Sequence, residues 1–277
     1  MAGLKKMFWQ RKAALIGLIL VAIVVFAALG AGILAPFTPD EINAEDRLLA
    51  PSSTHFMGTD EFGRDLFSRV LYGARNTLTV AFFIVVIAVG MGLIFGLIAG
   101  YYSKLDSFIM RIMDGLMAFP GIVLAIAMMG AMGPSMVNVI VALGIVYTPR
   151  VARVVRSFIL TIRESQYIEA ARSIGAMDIR ILLRHILPNC ISPIVVQASF
   201  IFSYAILGEA ALSFLGVGVP ATLPSWGNIL SEGRVYMQIA PWLTVFPGLS
   251  IMITVLGLNM IGDGLRDFLD PRLKRQR

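Results

Sequence analysis

Cysteine and histidine, which most often carry metal and redox chemistry, are almost absent from this 277-residue chain. It has one cysteine, Cys190, and two histidines, His55 and His185, which lie 130 positions apart. A single cysteine excludes an internal disulfide framework, and no Cys, His or paired-carboxylate spacing typical of a zinc or haem site surrounds either histidine. The sequence therefore gives almost no support to metal or redox chemistry.

Charge is scarce as well. Asp, Glu, Lys and Arg make up 14% of the residues, against about 25% in average soluble domains. Hydrophobic residues make up 57%, and the mean hydropathy is +0.81. A soluble domain cannot bury so much apolar surface, so the composition predicts an integral membrane protein.

A phosphate-binding loop is also missing. None of the lysines stands in the G-x4-G-K-[ST] pattern that holds nucleotide phosphates. Any ATP hydrolysis linked to this chain must therefore be carried out by another polypeptide. The lysines are Lys5, Lys6, Lys12, Lys104 and Lys274.

Long uncharged runs predict six membrane-spanning helices. Ala13–Ala35 is the first, with 23 uncharged residues after a basic start. Its apolar core is longer than the roughly 7–15 residues of a signal peptide, which favours an uncleaved membrane helix over that alternative. The turn signal Gly133-Pro134-Ser135 divides a later run in two. The remaining predicted spans are Leu78–Tyr102, Ile112–Met132, a helix that starts near Met136 and projects beyond the bilayer, Ile191–Leu215 and Ala240–Gly262.

The distribution of Lys and Arg predicts the orientation of these spans. With a cytoplasmic N-terminus, 18 basic residues lie on the cytoplasmic side and 5 on the other. Because cytoplasmic loops are enriched in Lys and Arg, both termini are expected to be cytoplasmic. The net charge of +6 is then a consequence of topology, and nucleic acid is not expected as a partner.

The segment from Glu169 to Asn189, EAARSIGAMDIRILLRHILPN, is a polar interruption in this hydrophobic chain. Its propensities predict a helix, a turn at Gly175, and a second helix over Ile179–Ile186 that Asp178 caps and Pro188 stops. The fifth span would then open at Ser192-Pro193. A solvated loop that merely connects two spans is the alternative. The second helix would present one apolar face, formed by Ile179, Leu182, Leu183 and Ile186.

The spacing within this segment resembles the EAA loop of ABC-importer permeases, whose consensus is E-A-A-x3-G-x9-I-x-L-P. His185 stands where that consensus has isoleucine, which makes it a poor apolar anchor. In the family, this loop is the coupling helix that docks into a groove on a cytoplasmic ATPase subunit. The coupling residues that the resemblance implies are Glu169, Ala170, Ala171, Arg172, Gly175, Ala176, Leu187 and Pro188.

Three further regions resemble C-type permeases of dipeptide, oligopeptide and nickel importers: Gly58–Leu78, Phe214–Leu230 and Asn259–Leu273. The first is also amphipathic, with a possible ion pair between Asp65 and Arg69. It is expected to lie as a helix in the outer membrane interface, with contact to a binding protein or the translocation mouth as the alternative.

The resemblance implies an all-α integral membrane protein with six transmembrane helices and the type I ABC importer permease fold. A cytoplasmic coupling helix would stand between spans four and five. The expected divisions are residues 1–77, with the tail, first span and external segment; a permease core of residues 78–265 with the coupling loop at 164–189; and a cytoplasmic tail of residues 266–277.

The resemblance also implies partners and a substrate class. They are a homologous B-type permease, two cytoplasmic ABC ATPases that carry ATP and Mg, and a periplasmic or lipid-anchored substrate-binding protein, in the inner membrane of a bacterium. This chain itself would bind no cofactor and would not be an enzyme. Peptides are the expected substrates, with nickel or other small solutes as the alternative and a membrane-embedded enzyme as a remote one.

Charges within the spans need an explanation because they are costly in a bilayer. Asp114 is expected to pair with Arg111. Glu209 could line the translocation path or form a hydrogen bond with a neighbouring helix. A stripe of basic residues spaced by three is expected to anchor lipid headgroups, with ATPase contact as the alternative. The stripe consists of Arg150, Arg153 and Arg156.

Overall fold

A computed structural model describes residues 12–269 of the chain. It shows that their regular structure is helical. Within that range the only β-type feature is an isolated bridge between Thr59 and Asp65. Residues 1–11 and 270–277 lie outside the described residues. The basic residues in these two segments, which are predicted to be cytoplasmic, are therefore not described. The helices are α1 (Lys12–Leu29), α2 (Ala31–Leu34), α3 (Leu66–Tyr101), α4 (Ser103–Met117), α5 (Gly121–Met132), α6 (Met136–Ile162), α7 (Gln166–Ser173), α8 (Asp178–Ile181), α9 (Leu187–Phe214), α10 (Trp226–Gly233) and α11 (Trp242–Leu269).

Five helical segments of the described chain are long and apolar enough to cross a membrane, and a sixth crossing is available if α4 and α5 form one broken span. The two helices meet at an angle of 88°. The prediction of a single helix over Ile112–Met132 is therefore wrong. Pro120 explains the break, since proline disfavours helical geometry at the residue before it and has no N–H to donate.

The second long helix starts twelve residues earlier than predicted. Asp65 caps α3 by accepting a hydrogen bond from the Ser68 N–H at 2.8 Å, and the helix continues to Tyr101 without a break. The expected interfacial helix and the Asp65–Arg69 pair are both wrong. The boundary predicted between residues 77 and 78 consequently falls inside α3. Asp65, Ser68 and Arg69 are buried and bond to partners in the protein, so this stretch packs in the bundle.

The fifth span also starts earlier than predicted, because helix runs from Asp178 to Phe214 through Pro188 and Pro193. A π-helical stretch, Leu182–Ile186, joins α8 to α9, and the Leu187 N–H bonds to the Leu182 carbonyl. Such a wide turn shifts the hydrogen-bond register, which accommodates the missing N–H of Pro188. The predicted helix stop at Pro188 and the new start at Ser192 are therefore wrong.

Close helix contacts are made at glycines. A Cβ on Gly96 of α3 would lie 2.6 Å from the Cβ of Val155 on α6, and a Cβ on Gly17 of α1 would lie 2.6 Å from the Gly257 carbonyl of α11. Small residues allow this approach of two backbones in a membrane bundle. The first predicted span is thus an integral part of the packed bundle.

The last helix extends further than predicted. α11 continues to Leu269, so residues 266–269 of the predicted C-terminal tail form its final turn. Residues 270–277 of that tail lie outside the described residues.

Candidate functional site

The segment with the E-A-A motif folds as a short helix that ends in a glycine turn. Gly175 has a φ of +82°, a conformation that glycine adopts without strain and most other residues disfavour. Its N–H bonds to the Arg172 carbonyl at 2.9 Å, and the Ala176 N–H bonds to the Ala171 carbonyl at 3.1 Å. These two bonds form a Schellman motif, which satisfies the last carbonyls of α7. The predicted helix–glycine–helix pattern is confirmed.

The turn is held against the end of α3. Tyr101, the last residue of α3, donates a hydrogen bond to Asp178, and the Arg172 guanidinium lies 5.5 Å from the Tyr101 ring centre. Asp178 has no capping bond, so the predicted N-cap is wrong. Ile168 and Ala171 of α7 are buried below it. The segment therefore has a defined position at one end of the bundle.

Only half of the predicted apolar face is buried. Leu182 and Ile186 are buried as expected, but Ile179 and Leu183 are 58% and 55% exposed. Ile181 is buried instead of these two. The wide π turn changes the angle between successive residues, so a face assigned with ordinary helical spacing does not match the buried one.

A shallow cavity of about 460 Å³ opens between α7 and the π-helical stretch. His185, which could not be assigned from the sequence, forms part of its wall, and its ring centre lies 6.5 Å from that of Tyr167. Exposed apolar side chains surround the turn: Ile174 is 85% exposed and Met177 is 70% exposed. The residues around the cavity are Tyr167, Ala170, Ala171, Ile174, Gly175, Ala176, Arg180 and His185.

The predicted coupling residues are only partly brought together. Ala170, Ala171, Gly175 and Ala176 line the cavity. The exposed side chains of Glu169 and Arg172 lie on the same short helix but outside that lining. Leu187 and Pro188 lie in the continuous helix beyond the π stretch. The site thus consists of a compact turn and the start of a long helix that leads into the bundle.

Glu209 lies in α9 with no exposed surface. Its carboxylate accepts hydrogen bonds from Ser213 at 2.8 Å and from Thr77 of α3 at 3.2 Å. This geometry matches the alternative of a hydrogen bond to a neighbouring helix. It does not match a residue that lines an open path in this conformation.

The basic stripe on α6 has carboxylate partners on α4. Arg153 donates to Asp114 at 2.6 Å, and Arg156 donates to Asp106 at 2.6 Å. The expected pairing of Asp114 with Arg111 is therefore wrong. Arg150, the third member, has a different environment and lies over the rings of Tyr147 and Tyr204.

The sequence did not reveal a second polar cluster, at the opposite end of the bundle. Arg69 of α3 and Arg64 both bond to Asp60 and to Glu232 of α10. Burial raises the pKa of the adjacent Glu61 carboxyl, and the neighbouring Asp60 adds to this effect. Arg69, a charged residue away from the centre of the apolar face of Gly58–Leu78, was the only available signal. It did not indicate its partner, which lies 163 positions away.

A second buried pair lies next to this cluster. Nδ1 of His55 lies 2.9 Å from a carboxylate oxygen of Asp65, and the ring stacks on Phe37 with 5.0 Å between centres. Asp65 thus holds both the loop before α3 and the first turn of that helix.

Comparison with known proteins places this geometry in a family. Residues 92–275 match the model of the binding-protein-dependent transport system inner membrane component, and residues 5–51 match the N-terminal TM domain of oligopeptide transport permease C. The chain is 48% identical over 270 residues to a dipeptide transport system permease of Alkalihalophilus pseudofirmus, covering 97% of this chain and 89% of that one. It is 46% identical over 277 residues to a glutathione transport system permease of Pectobacterium atrosepticum, covering 96% and 91%.

A solved structure shares the fold. It is an inward-facing conformation of the MetNI methionine ABC transporter, with a TM-score of 0.61 and 21% identity over 73% of this chain and 96% of that one.

Proposed function

The chain belongs to the family of binding-protein-dependent transport system inner membrane components, and we propose that it is the C-type permease of a peptide importer. Relatives that match most of its length are named as dipeptide, di/tripeptide and glutathione transport permeases. These names share a peptide substrate. The chain would form half of the translocation pathway in the bacterial inner membrane, with both termini in the cytoplasm.

The exposed glycine turn is the observation that carries the coupling role. Ile174 and Met177 expose most of their apolar surface beside Gly175, on a segment that the charge distribution assigns to the cytoplasm. Exposed apolar groups rimmed by polar residues are typical of protein–protein contact sites. Glu169 and Arg172 supply that polar rim. The occupant is proposed to be an ABC ATPase subunit, because this chain has no phosphate-binding loop of its own.

The continuity of Asp178–Phe214 suggests how movement would reach the membrane. A displaced turn at Gly175 would carry α8, Leu187 and Pro188 with it, because no loop separates them from α9. ATP binding by the two ATPases, each with its Mg ion, would draw the paired coupling segments together. Such a mechanism requires that ATP-bound ATPase binds the outward-open state more tightly than the inward-open one.

The second permease is proposed to be a homologous B-type chain. α4 and α5 expose apolar side chains along their length, among them Phe108, Ile112 and Val123. A surface of this kind suits lipid or another membrane helix. A periplasmic or lipid-anchored binding protein would deliver the peptide to the side opposite Gly175.

The test is purification of the wild-type chain from its native membrane in mild detergent. We expect a second permease and an ABC ATPase to purify with it, and peptide-loaded binding protein to stimulate ATP hydrolysis. The separated chain should hydrolyse no ATP. Turnover by the separated chain, or a complex that responds to no peptide, would contradict the proposal.

The proposed orientation needs a separate measurement. A cysteine at Thr54 should react with a membrane-impermeant maleimide added to intact cells, and a cysteine at Ser173 should react only after the membrane is opened. Both positions are exposed, and the native Cys190 is buried. The reverse labelling pattern would overturn the orientation.

A further inference from the structure

Arg150 differs from the other two members of its basic stripe. Arg153 and Arg156 each bond to an aspartate of α4. The exposed side chain of Arg150 has no carboxylate within 4.0 Å among residues 12–269, and its guanidinium lies 4.6 Å from the ring centre of Tyr204. Among the described residues this charge has no counter-charge, so it remains available on this surface.

The position of Arg150 along its helix sets the depth of its charge in the membrane. Arg150 lies 14 residues into α6, so its Cα is about 21 Å from the first residue of that helix, and its side chain slants back towards that end. Tyr204 lies 10 residues before the end of α9, about 15 Å from Phe214. With Met136 and Phe214 taken at the outer edge of a hydrocarbon layer about 30 Å thick, both estimates place the guanidinium near the middle of that layer.

Two tyrosines fix the position of the guanidinium. Tyr147 is 9% exposed and donates a hydrogen bond from its hydroxyl to the Tyr204 carbonyl at 3.0 Å. Arg150 lies over both rings, at 5.7 Å from Tyr147 and 4.6 Å from Tyr204. Stacking occupies the flat face of a guanidinium and leaves N–H donors at its edge for a planar, two-oxygen acceptor.

An exposed charge at mid-membrane depth does not face lipid stably, so such residues face a water-filled cavity or another protein chain. We propose that Arg150, with Tyr147 and Tyr204, forms an anion-binding subsite in the translocation pathway that receives the carboxylate of the passing peptide. This inference rests on the peptide-import function proposed above. A paired N–H···O contact between arginine and carboxylate is strong and directional in a site of low polarity.

Tyr204 adds a second property to the subsite. It is 45% exposed, so part of its ring remains accessible beside the guanidinium. An apolar peptide side chain or backbone could contact this ring while the carboxylate is bound. The subsite would therefore recognise the terminal carboxylate, a group that all unmodified peptides share, with little discrimination among their side chains.

The test uses the complete transporter, with the second permease, ATPases and binding protein, in proteoliposomes supplied with ATP. A radiolabelled dipeptide that the wild-type transporter imports is chosen first. Its uptake by Arg150→Gln and by Arg150→Lys is then compared with uptake by the wild type. We expect Arg150→Gln to lower uptake at least tenfold and Arg150→Lys to lower it less, since lysine keeps the charge but loses the paired geometry. Subunit assembly and the stimulation of ATP hydrolysis by loaded binding protein should stay within twofold of wild type.

Arg153→Gln is the matched control, because Arg153 has its carboxylate partner within the chain, and its uptake should stay within twofold of wild type. Wild-type uptake by Arg150→Gln would overturn the subsite and leave the proposed function intact. Loss of the second permease from the purified Arg150→Gln complex would identify Arg150 as part of an ion pair between the two permeases. That result would also overturn the subsite. If the complex assembles but loaded binding protein no longer stimulates ATP hydrolysis, Arg150 would be assigned to coupling. That result would overturn the subsite as well. If the wild type imports no peptide, the proposed function fails, and the subsite fails with it.

Discussion

Arg69 of α3 and Glu232 of α10 are 163 positions apart in the sequence and form an ion pair with an Nη1–Oε2 distance of 2.6 Å. Arg69 is 2% exposed, and Asp60 accepts a hydrogen bond from the same nitrogen. The guanidinium thus holds the loop before α3 and the helix after α9 together. This end of the bundle is joined by charge as well as by apolar packing.

Arg69→Met is expected to lower the free energy of unfolding by about 3 kcal/mol, because it removes the more deeply buried of the two arginines that pair with Asp60 and Glu232 and leaves Arg64 as the remaining partner of both carboxylates. The measurement is thermal unfolding of the purified protein in detergent. Arg234→Met is the control, since Arg234 is exposed and within residues 12–269 its guanidinium makes only a ring contact, with Phe214. Equal stability of Arg69→Met and the control would contradict the structural role assigned to this pair.

Glu61 makes the stability of the same region depend on pH. Burial raises the pKa of this carboxyl above its ordinary value of about 4.3. A raised pKa in the folded state means that the contribution to stability is complete below about pH 4 and is lost as the pH rises through the folded-state pKa. Glu61→Gln has no carboxyl to ionise at this position, so its stability does not fall in this way as the pH rises. Wild type should therefore become less stable relative to Glu61→Gln as the pH rises from 4 to 7.

The exposed Glu45 offers the control for this pH series. Glu45→Gln removes a carboxyl of the same type at a solvent-exposed position and is measured over the same range. A difference between Glu61→Gln and wild type that does not change with pH would show that burial does not affect the titration of Glu61.

The contact between α3 and α6 can be tested with two glycines of the same helix. A Cβ at Gly96 would lie 2.6 Å from the Cβ of Val155, whereas a Cβ at Gly90 would meet nothing within 4 Å. Gly96→Leu should cost about 1–3 kcal/mol of stability through overpacking, or prevent stable expression. Gly90→Leu should express and melt like wild type. Equal behaviour of the two variants would contradict the close packing of these helices.

The sequence predicted the spans well where composition alone decides them. An uncharged run such as Ala13–Ala35 or Met136–Pro149 cannot be stable in water, so hydropathy is sufficient to identify it. The family assignment was also confirmed, because the E-A-A spacing and three further motifs occur in order along one chain.

The predictions failed where distant residues decide the local structure. Pro188 predicted a helix stop, but the π stretch before it shifts the hydrogen bonds so that the helix continues. Arg69 was assigned to Asp65 because local spacing allows that pair, whereas the real partner, Glu232, lies in the distant helix α10, which only the fold brings near. The exposed edge of the segment at Gly175 could likewise not be predicted from ordinary helical spacing.

The turn at Gly175 should depend on backbone conformation rather than on space. The φ of +82° disfavours side chains with a Cβ, but a Cβ there would meet nothing within 4 Å. Gly175→Asn should retain most transport activity because asparagine tolerates this region, while Gly175→Val should lose most of it. Peptide uptake by the reconstituted transporter distinguishes them. Full activity of Gly175→Val would show that coupling does not need this turn.

The central claim is that the exposed surface around Ala170 couples ATP hydrolysis to transport. Ala170 is exposed and lines the cavity, so an aspartate there should insert and fold normally while placing a desolvated charge against the ATPase. Thr161→Asp adds the same charge at an exposed position outside the cavity.

The most direct measurement is the number of peptides imported per ATP hydrolysed by the complete transporter in proteoliposomes. Ala170→Asp should lower this ratio at least tenfold while the amount of chain in the membrane stays normal, and Thr161→Asp should match wild type. A normal ratio for Ala170→Asp would contradict the coupling role of this segment.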